Sequence, residues 1–364
     1  MKRRRTQEVP LGSLTVGGDS PVWVEAMGRK HPGEWVSCLR EIEEAFSQGC
    51  EIFRVAVFDD CGVSGLREIK KRSRDLPLVA DIHFTLQLAF QAIEAGVDAI
   101  RINPGTARDV GLLESLIDFA RDRGVTLRIG ANTGSLPPSL RGKKRSEALV
   151  ESVGLCVELA EKKNMRRLIL SAKSPDIEET IEVYRRLSRI FPYPLHIGLT
   201  EAGGGLEGIV KSSVALGVLL AEGIGDTLRV SLTSQSPVLE VRVGWEILEA
   251  LNIRSRGVTV ISCPTCARVR GNVVSCVQRF RRAIAPLEKV ARKTPLKVAI
   301  MGCEVNGPGE AREADFGLAL SSGGKAVLFA QGMVTAVVPQ EEALEKLVDL
   351  VREAIQKKGE ERSR

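Results

Sequence analysis

The sequence predicts an α/β fold in two parts, an N-terminal (β/α)8 TIM barrel followed by a smaller α+β domain. Three observations carry this. Between residues 22 and 232, short apolar runs alternate eight times with longer amphipathic segments. No Gly-rich fingerprint follows the first run, as a doubly wound nucleotide-binding sheet would require. Beyond residue 252 the alternation gives way to closely spaced strands between two helices.

In chain order the barrel strands are VWVE (22–25), IFRVAVF (52–58), LPLVADIH (76–83), AIRIN (99–103), TLRIGAN (126–132), RLILSAK (167–173), LHIGLTE (195–201) and TLRVSL (227–232). Helical patterns such as EWVSCLREIEEAFSQG and VGLLESLIDFARDRG lie between them and end on Gly, the residue favoured just past a helix C-terminus. A helix over 236–251 closes this part, and NIRSRG (252–257) reads as a linker. The expected domains are therefore 1–253 and 254–364. The second contains VTVISC, a basic helix from Gly271 to Lys293, KVAIMGC, the strands FGLAL, AVLFA and TAVVP, and a closing helix from Glu341 to Lys357.

Of 364 residues, 43% are hydrophobic and 27% charged, the balance of a soluble globular chain. The net charge of +6 is spread along the sequence, which suits an anionic small molecule and argues against a nucleic-acid partner. MKRRRTQEVP begins like a signal peptide, but no apolar stretch follows, and no run is long enough to span a bilayer. A cytoplasmic protein with no membrane partner is expected. In that reducing compartment the eight cysteines are thiols or metal ligands rather than disulfides. The isolated Cys38, Cys50, Cys61 and Cys156 read as small buried hydrophobes.

Charges stand where barrel strands should be dry. Arg54, Arg101, Arg128 and Arg229, with Lys173, interrupt apolar strands, accompanied by Asn103, Asn132, Ser171 and Ser231. Buried arginines are costly unless paired or facing a ligand, and nearby acids such as Asp81 are fewer than the cations. At C-terminal strand ends, where a barrel builds its active site, these groups read as a pocket for a highly anionic molecule. TEAGGG (200–205) adds a possible phosphate cradle, and Glu201 reads as a proton donor and acceptor among cations. His83 and His196 read as orienting hydrogen-bond partners.

Cys263 and Cys266, in SCPTCAR, and Cys303, in MGCEVNGPGEA, look like a metal site one ligand short. A zinc ribbon would close with a second C-x-x-C, which is absent. Cys276 lies within a helical run and reads as core; Glu310, swung back by the Gly307-Pro308-Gly309 turn, is the remaining candidate. Three thiolates suit soft iron, and a carboxylate is a more exchangeable ligand, so one metal corner would stay open to a substrate oxygen.

ADIHF, RINPG, RIGANTGS, TEAGG, EGIGDTLRVSL, IRSRG, CPTCAR and GCEVNGPGEA occur in this order over nearly the whole chain. Together they resemble the 4-hydroxy-3-methylbut-2-enyl diphosphate synthase family, in its two-domain bacterial form. The resemblance implies reductive opening of 2-C-methyl-D-erythritol 2,4-cyclodiphosphate, with loss of water and two electrons from flavodoxin or ferredoxin. It implies a 4Fe-4S cluster on Cys263, Cys266, Cys303 and Glu310, and so an iron–sulfur second domain. It assigns Arg128, Asn132, Lys173, Arg229 and Ser231 to the diphosphate and Glu201 to acid–base work, with Arg54, His83, Arg101 and Asn103 completing the mouth. A head-to-tail homodimer, one subunit's cluster domain capping the other's barrel, also follows from it.

One stretch departs from the family. Where its members read Gln-Ser-Met-Thr-Asn-Thr after the first strand, this chain has Glu25-Ala26-Met27-Gly28-Arg29-Lys30, and Phe58-Asp59 replaces Pro-Thr. Arg29 or Lys30 is the candidate replacement cation. Three alternatives stand beside this reading: a divergent copy with shifted substrate, a non-catalytic metal-binding protein, and a cluster-independent barrel transferase on a pterin-like substrate.

Overall fold

The computed structural model describes residues 3–107, 109–140, 142–292, 295–303 and 313–361. The chain divides into two compact units, Met1–Arg254 and Ser255–Arg364. In the first, eight parallel strands form the barrel: β3 (Trp23–Met27), β4 (Ile52–Val57), β5 (Leu78–Ile82), β6 (Ala99–Ile102), β7 (Thr126–Asn132), β8 (Leu168–Lys173), β9 (His196–Ile197) and β10 (Thr227–Leu228). The sheet runs β8-β7-β6-β5-β4-β3-β10-β9, and a parallel bridge between Leu170 and Leu195 brings its two ends together. β5, β6 and β8 are buried at every position, because helices cover the outside and side chains fill the lumen. The last two strands are shorter than LHIGLTE and TLRVSL predict. Their polar C-terminal halves leave the ladder to line the mouth.

Eight helices surround the barrel, from α1 (Trp35–Ser47) and α2 (Asp60–Arg72) through α3 (Gln87–Glu94), α4 (Val110–Asp122), α5 (Arg145–Lys162), α6 (Ile177–Ile190) and α7 (Gly205–Ala221) to α8 (Val238–Ala250). Asp59, Asp109 and Asp176 cap α2, α4 and α6, accepting from the N–H of Gly62, Leu112 and Glu179.

Ahead of the barrel, β1 (Val9–Leu11) and β2 (Leu14–Val16) form an antiparallel hairpin that the sequence analysis did not anticipate. Val9, Leu11 and Val16 pack onto Ile52, Val79, Ala99 and Ile169, near the N-terminal ends of the strands. The hairpin thus plugs the end opposite the predicted site. Where the chain leaves this unit, Arg254 forks onto Glu51 at 2.8 Å through both terminal nitrogens and lies 4.5 Å from the Trp245 ring centroid.

The second unit is one sheet ordered β11 (Val258–Ser262), β12 (Leu296–Met301), β13 (Phe316–Leu320), β14 (Lys325–Ala330) and β15 (Met333–Pro339). The first three strands are parallel and the last two pairings antiparallel. Leu347, Val351 and Ile355 of the closing helix α11 (Gln340–Glu361) share a core with Val298, Ile300 and Leu318. The basic helix expected over 271–293 is interrupted. It runs as α9 (Val273–Ile284), a 3₁₀ turn at Ala285–Leu287 and α10 (Glu288–Ala291), because Pro286 lacks the N–H that a continuous helix would need. Lys293 lies outside the described residues. Among those described, no helix is long and apolar enough to cross a membrane.

Candidate active site

The C-terminal mouth of the barrel holds a cavity of about 200 Å³ lined by Met27, Arg54, Asp81, His83, Arg101, Arg128, Asn132, Ser171, Lys173, Thr200, Arg229 and Ser231. Eight of these are predicted site residues, drawn together from six strands by period-2 alternation. Two small residues make room. A Cβ on Gly130 would lie 2.5 Å from Arg101 Nε, and one on Gly198 would lie 2.6 Å from Lys173 Nζ. Asn103 and Glu201 stand outside the described lining. Asn103 is buried, donates to Ser135 Oγ at 2.6 Å and accepts from the Gly105 N–H at 3.0 Å, so it shapes the loop after β6. Glu201 is exposed with φ of +56°, and Phe84 has φ of +61°. Such left-handed backbone is costly for these residues and clusters at functional sites.

Two carboxylates divide the cations into held and unheld. Asp81 accepts from Arg101 Nη1 at 3.0 Å and lies 3.7 Å from Arg54. His83 Nε2 sits 2.6 Å from Arg101 Nη1 and 3.4 Å from Asp81. The second carboxylate is Glu25, whose role the sequence analysis missed. It lies within β3, which runs on to Met27, and is buried at 1% exposure. Its oxygens take Arg128 Nη1 at 2.8 Å and Nη2 at 2.6 Å. Arg54 and His196 each approach Glu25 to 3.7 Å. Burial would push both acids up, but Arg101 and Arg54 outweigh it at Asp81, and Arg128 and Arg54 at Glu25, so both stay below the usual carboxylate range.

Lys173 and Arg229 have no carboxylate within 4 Å among the described residues. Lys173 Nζ meets only the imidazole Nε2 of His196, at 3.2 Å. Burial first, then Arg54 and Arg229, pulls Lys173 well below its ordinary value. Burial and Arg54 likewise lower Arg229, to about 10, and its buried Nε has no hydrogen-bond partner among the described residues. His196 is depressed by burial and then by Arg128, which keeps it neutral. Burial and repulsion from neighbouring cations thus act together on Lys173 and Arg229.

Arg29 is not the replacement cation. Its guanidinium donates to buried Glu240 at 2.6 Å and to the Met27 carbonyl at 2.6 Å, tying the loop after β3 to α8. Glu240 also accepts from the Leu232 N–H at 2.7 Å, which fixes the segment carrying Arg229 and Ser231.

In the second unit, Cys263 and Cys303 follow the ends of the adjacent parallel strands β11 and β12. The Gly302 N–H donates to Cys263 Sγ at 3.1 Å, which ties the end of β12 to the thiol that follows β11. Thr265, with φ of +54°, turns the chain between Cys263 and Cys266. All three are free thiols, half-buried or exposed. Cys276 packs against the core, as expected, whereas Cys61 is exposed and corrects the reading of it as buried. Glu310 lies outside the described residues. Among those described, no set of three or more His, Cys, Asp or Glu is gathered closely enough to hold a metal. The donor chemistry of three soft, unpaired thiols nonetheless fits an iron–sulfur centre.

Residues 6–245 match the family model described as the GcpE TIM-barrel domain, and residues 259–353 match the GcpE protein C-terminal domain. The chain belongs to the GcpE family. GcpE relatives run its full length. A protein of Thermodesulfovibrio yellowstonii named 4-hydroxy-3-methylbut-2-en-1-yl diphosphate synthase (flavodoxin) is 43% identical over 97% of this chain and 99% of its own. One of the same name from Geobacter sulfurreducens is 41% identical over 98% and 99%. Among solved structures, a Plasmodium falciparum HPPK-DHPS protein shares the barrel fold at a TM-score of 0.50 and 10% identity, over 68% of this chain and 50% of that one.

Proposed function

We propose that this GcpE-family chain reductively opens 2-C-methyl-D-erythritol 2,4-cyclodiphosphate to (E)-4-hydroxy-3-methylbut-2-enyl diphosphate. The observation that carries the reading is the barrel mouth. Four buried cations and the half-buried Arg229 face two carboxylates there, and among the described residues Lys173 and Arg229 lack an acidic partner within 4 Å. The names of the full-length relatives support the same reaction. Lys173, Arg229 and Arg54 take the diphosphate oxygens, with Asn132 and Ser231 as neutral donors. Arg101, held by Asp81 and His83, and Arg128, held by Glu25, fix the walls against which the ring is oriented. Glu201, on its strained turn at the rim, delivers the proton that the departing hydroxyl needs.

Cys263, Cys266 and Cys303, with Glu310 as the fourth ligand, would hold a 4Fe-4S cluster. When bound, that cluster supplies single electrons to a reaction that consumes two. The dianionic ring diphosphate takes up two electrons and one proton, and two C–O bonds break, one to the ring phosphate and one to the departing hydroxyl. A C=C bond forms between the two carbons, and the products are the trianionic open-chain diphosphate and water. Flavodoxin fits the electron donor, as in the relatives' names, with ferredoxin the other candidate. A cytoplasmic head-to-tail homodimer completes the proposal. The test is anaerobic reconstitution with iron and sulfide, then reduction by dithionite and a viologen. Formation of the open-chain diphosphate is expected; an intact cluster that leaves the cyclodiphosphate unchanged overturns the reading.

A further inference from the structure

Glu25 lies two residues before Met27 on β3, so the two share the lumen face, with Glu25 one layer beneath the cavity floor. β3 and β7 are four steps apart in a ring of eight, so Arg128 reaches across the lumen to meet it. Both side chains are fully buried. Arg128 donates through Nη1 to Glu25 Oε1 and sets Nη2 2.6 Å from Oε2 as an ion pair, while Arg54, at 3.7 Å, shares its charge between Glu25 and Asp81. Glu25 is a fixed negative charge under a pocket built to attract anions.

The proposed reaction, on which this inference rests, gives that charge a purpose. A ring diphosphate carries one ionisable oxygen on each phosphorus and is a dianion. Opening the ring exposes a second ionisable oxygen on the terminal phosphorus, and the product is a trianion near neutral pH. A fixed carboxylate below the site repels the trianion by one unit charge more. At roughly 7–8 Å and partly screened, that difference amounts to about tenfold in affinity. We propose that Glu25 is a positioning residue that sets the charge selectivity of this pocket, holding Arg128 in place and weakening the grip on the open-chain product.

Isothermal titration calorimetry on the full chain decides this, with the cyclodiphosphate and methyl diphosphate as probes. Gln is the size of Glu and keeps an oxygen to accept from Arg128. Glu25→Gln is expected to tighten both probes, and methyl diphosphate about tenfold more than the cyclodiphosphate. Glu25→Asp, which restores the charge, should return the ratio to that of the wild type. The difference between wild type and Glu25→Gln should shrink as pH falls below the last ionisation of methyl diphosphate, where both probes are dianions. Equal changes for the two probes, weakening of both, or a ratio that ignores pH would overturn the inference. A wild-type chain that binds methyl diphosphate but ignores the cyclodiphosphate would remove the proposed substrate. The response of methyl diphosphate binding to Glu25→Gln would still decide the role of Glu25.

Discussion

Lys173 is buried in the barrel with an imidazole as its polar neighbour and three arginines among the charges acting on it. Such a group costs the ligand-free protein stability. Lys173→Met should raise the unfolding free energy of the ligand-free chain by about 1–3 kcal/mol, measured by denaturant titration. The pH dependence follows from the direction of its shift. Because the folded-state value lies below that of the unfolded chain, the unfolded chain binds more protons between the two, and stability rises with pH across that window. That rise should be absent in Lys173→Met. An anion beside Lys173 favours its protonated form, so calorimetry in buffers of different ionisation enthalpy should report proton uptake on binding that grows as pH rises through the folded-state value. Gly198→Ala places a methyl group 2.6 Å from Lys173 Nζ and 2.7 Å from the Arg229 carbonyl, and should block the cavity outright.

At the level of elements, the hairpin and the strand ends serve separate tasks. Leu11 is fully buried against the N-terminal ends of the strands. Leu11→Ala should cost about 2–5 kcal/mol, read by thermal or denaturant melting, with no change in anion affinity. The barrel strands were legible because their apolar runs are continuous and their helices strongly amphipathic. Strands of three residues, such as Val9–Leu11 and Leu14–Val16, carry too little pattern to be found. The cationic site was legible for a related reason: an arginine inside an apolar strand is conspicuous. Glu25 was equally conspicuous in VWVE, yet its partner Arg128 stands on the opposite wall, a juxtaposition made by barrel closure and invisible in sequence spacing. The engagement of Arg29 by Glu240, more than two hundred residues later, was hidden in the same way.

For the whole molecule, the proposed reaction divides anion recognition in the first unit from electron supply in the second. The full chain with Cys263, Cys266 and Cys303 all changed to Ser should therefore bind the cyclodiphosphate as the wild type does and produce no open-chain diphosphate. The central claim is that the unpaired cations of the barrel mouth exist to hold that dianion. Its most direct test is the cyclodiphosphate affinity of the full-length wild type beside those of Arg229→Met and Lys173→Met, each with a melting curve. The account predicts a loss of about 30-fold or more in both variants with undiminished stability in Lys173→Met. Unchanged affinity in both folded variants would contradict it.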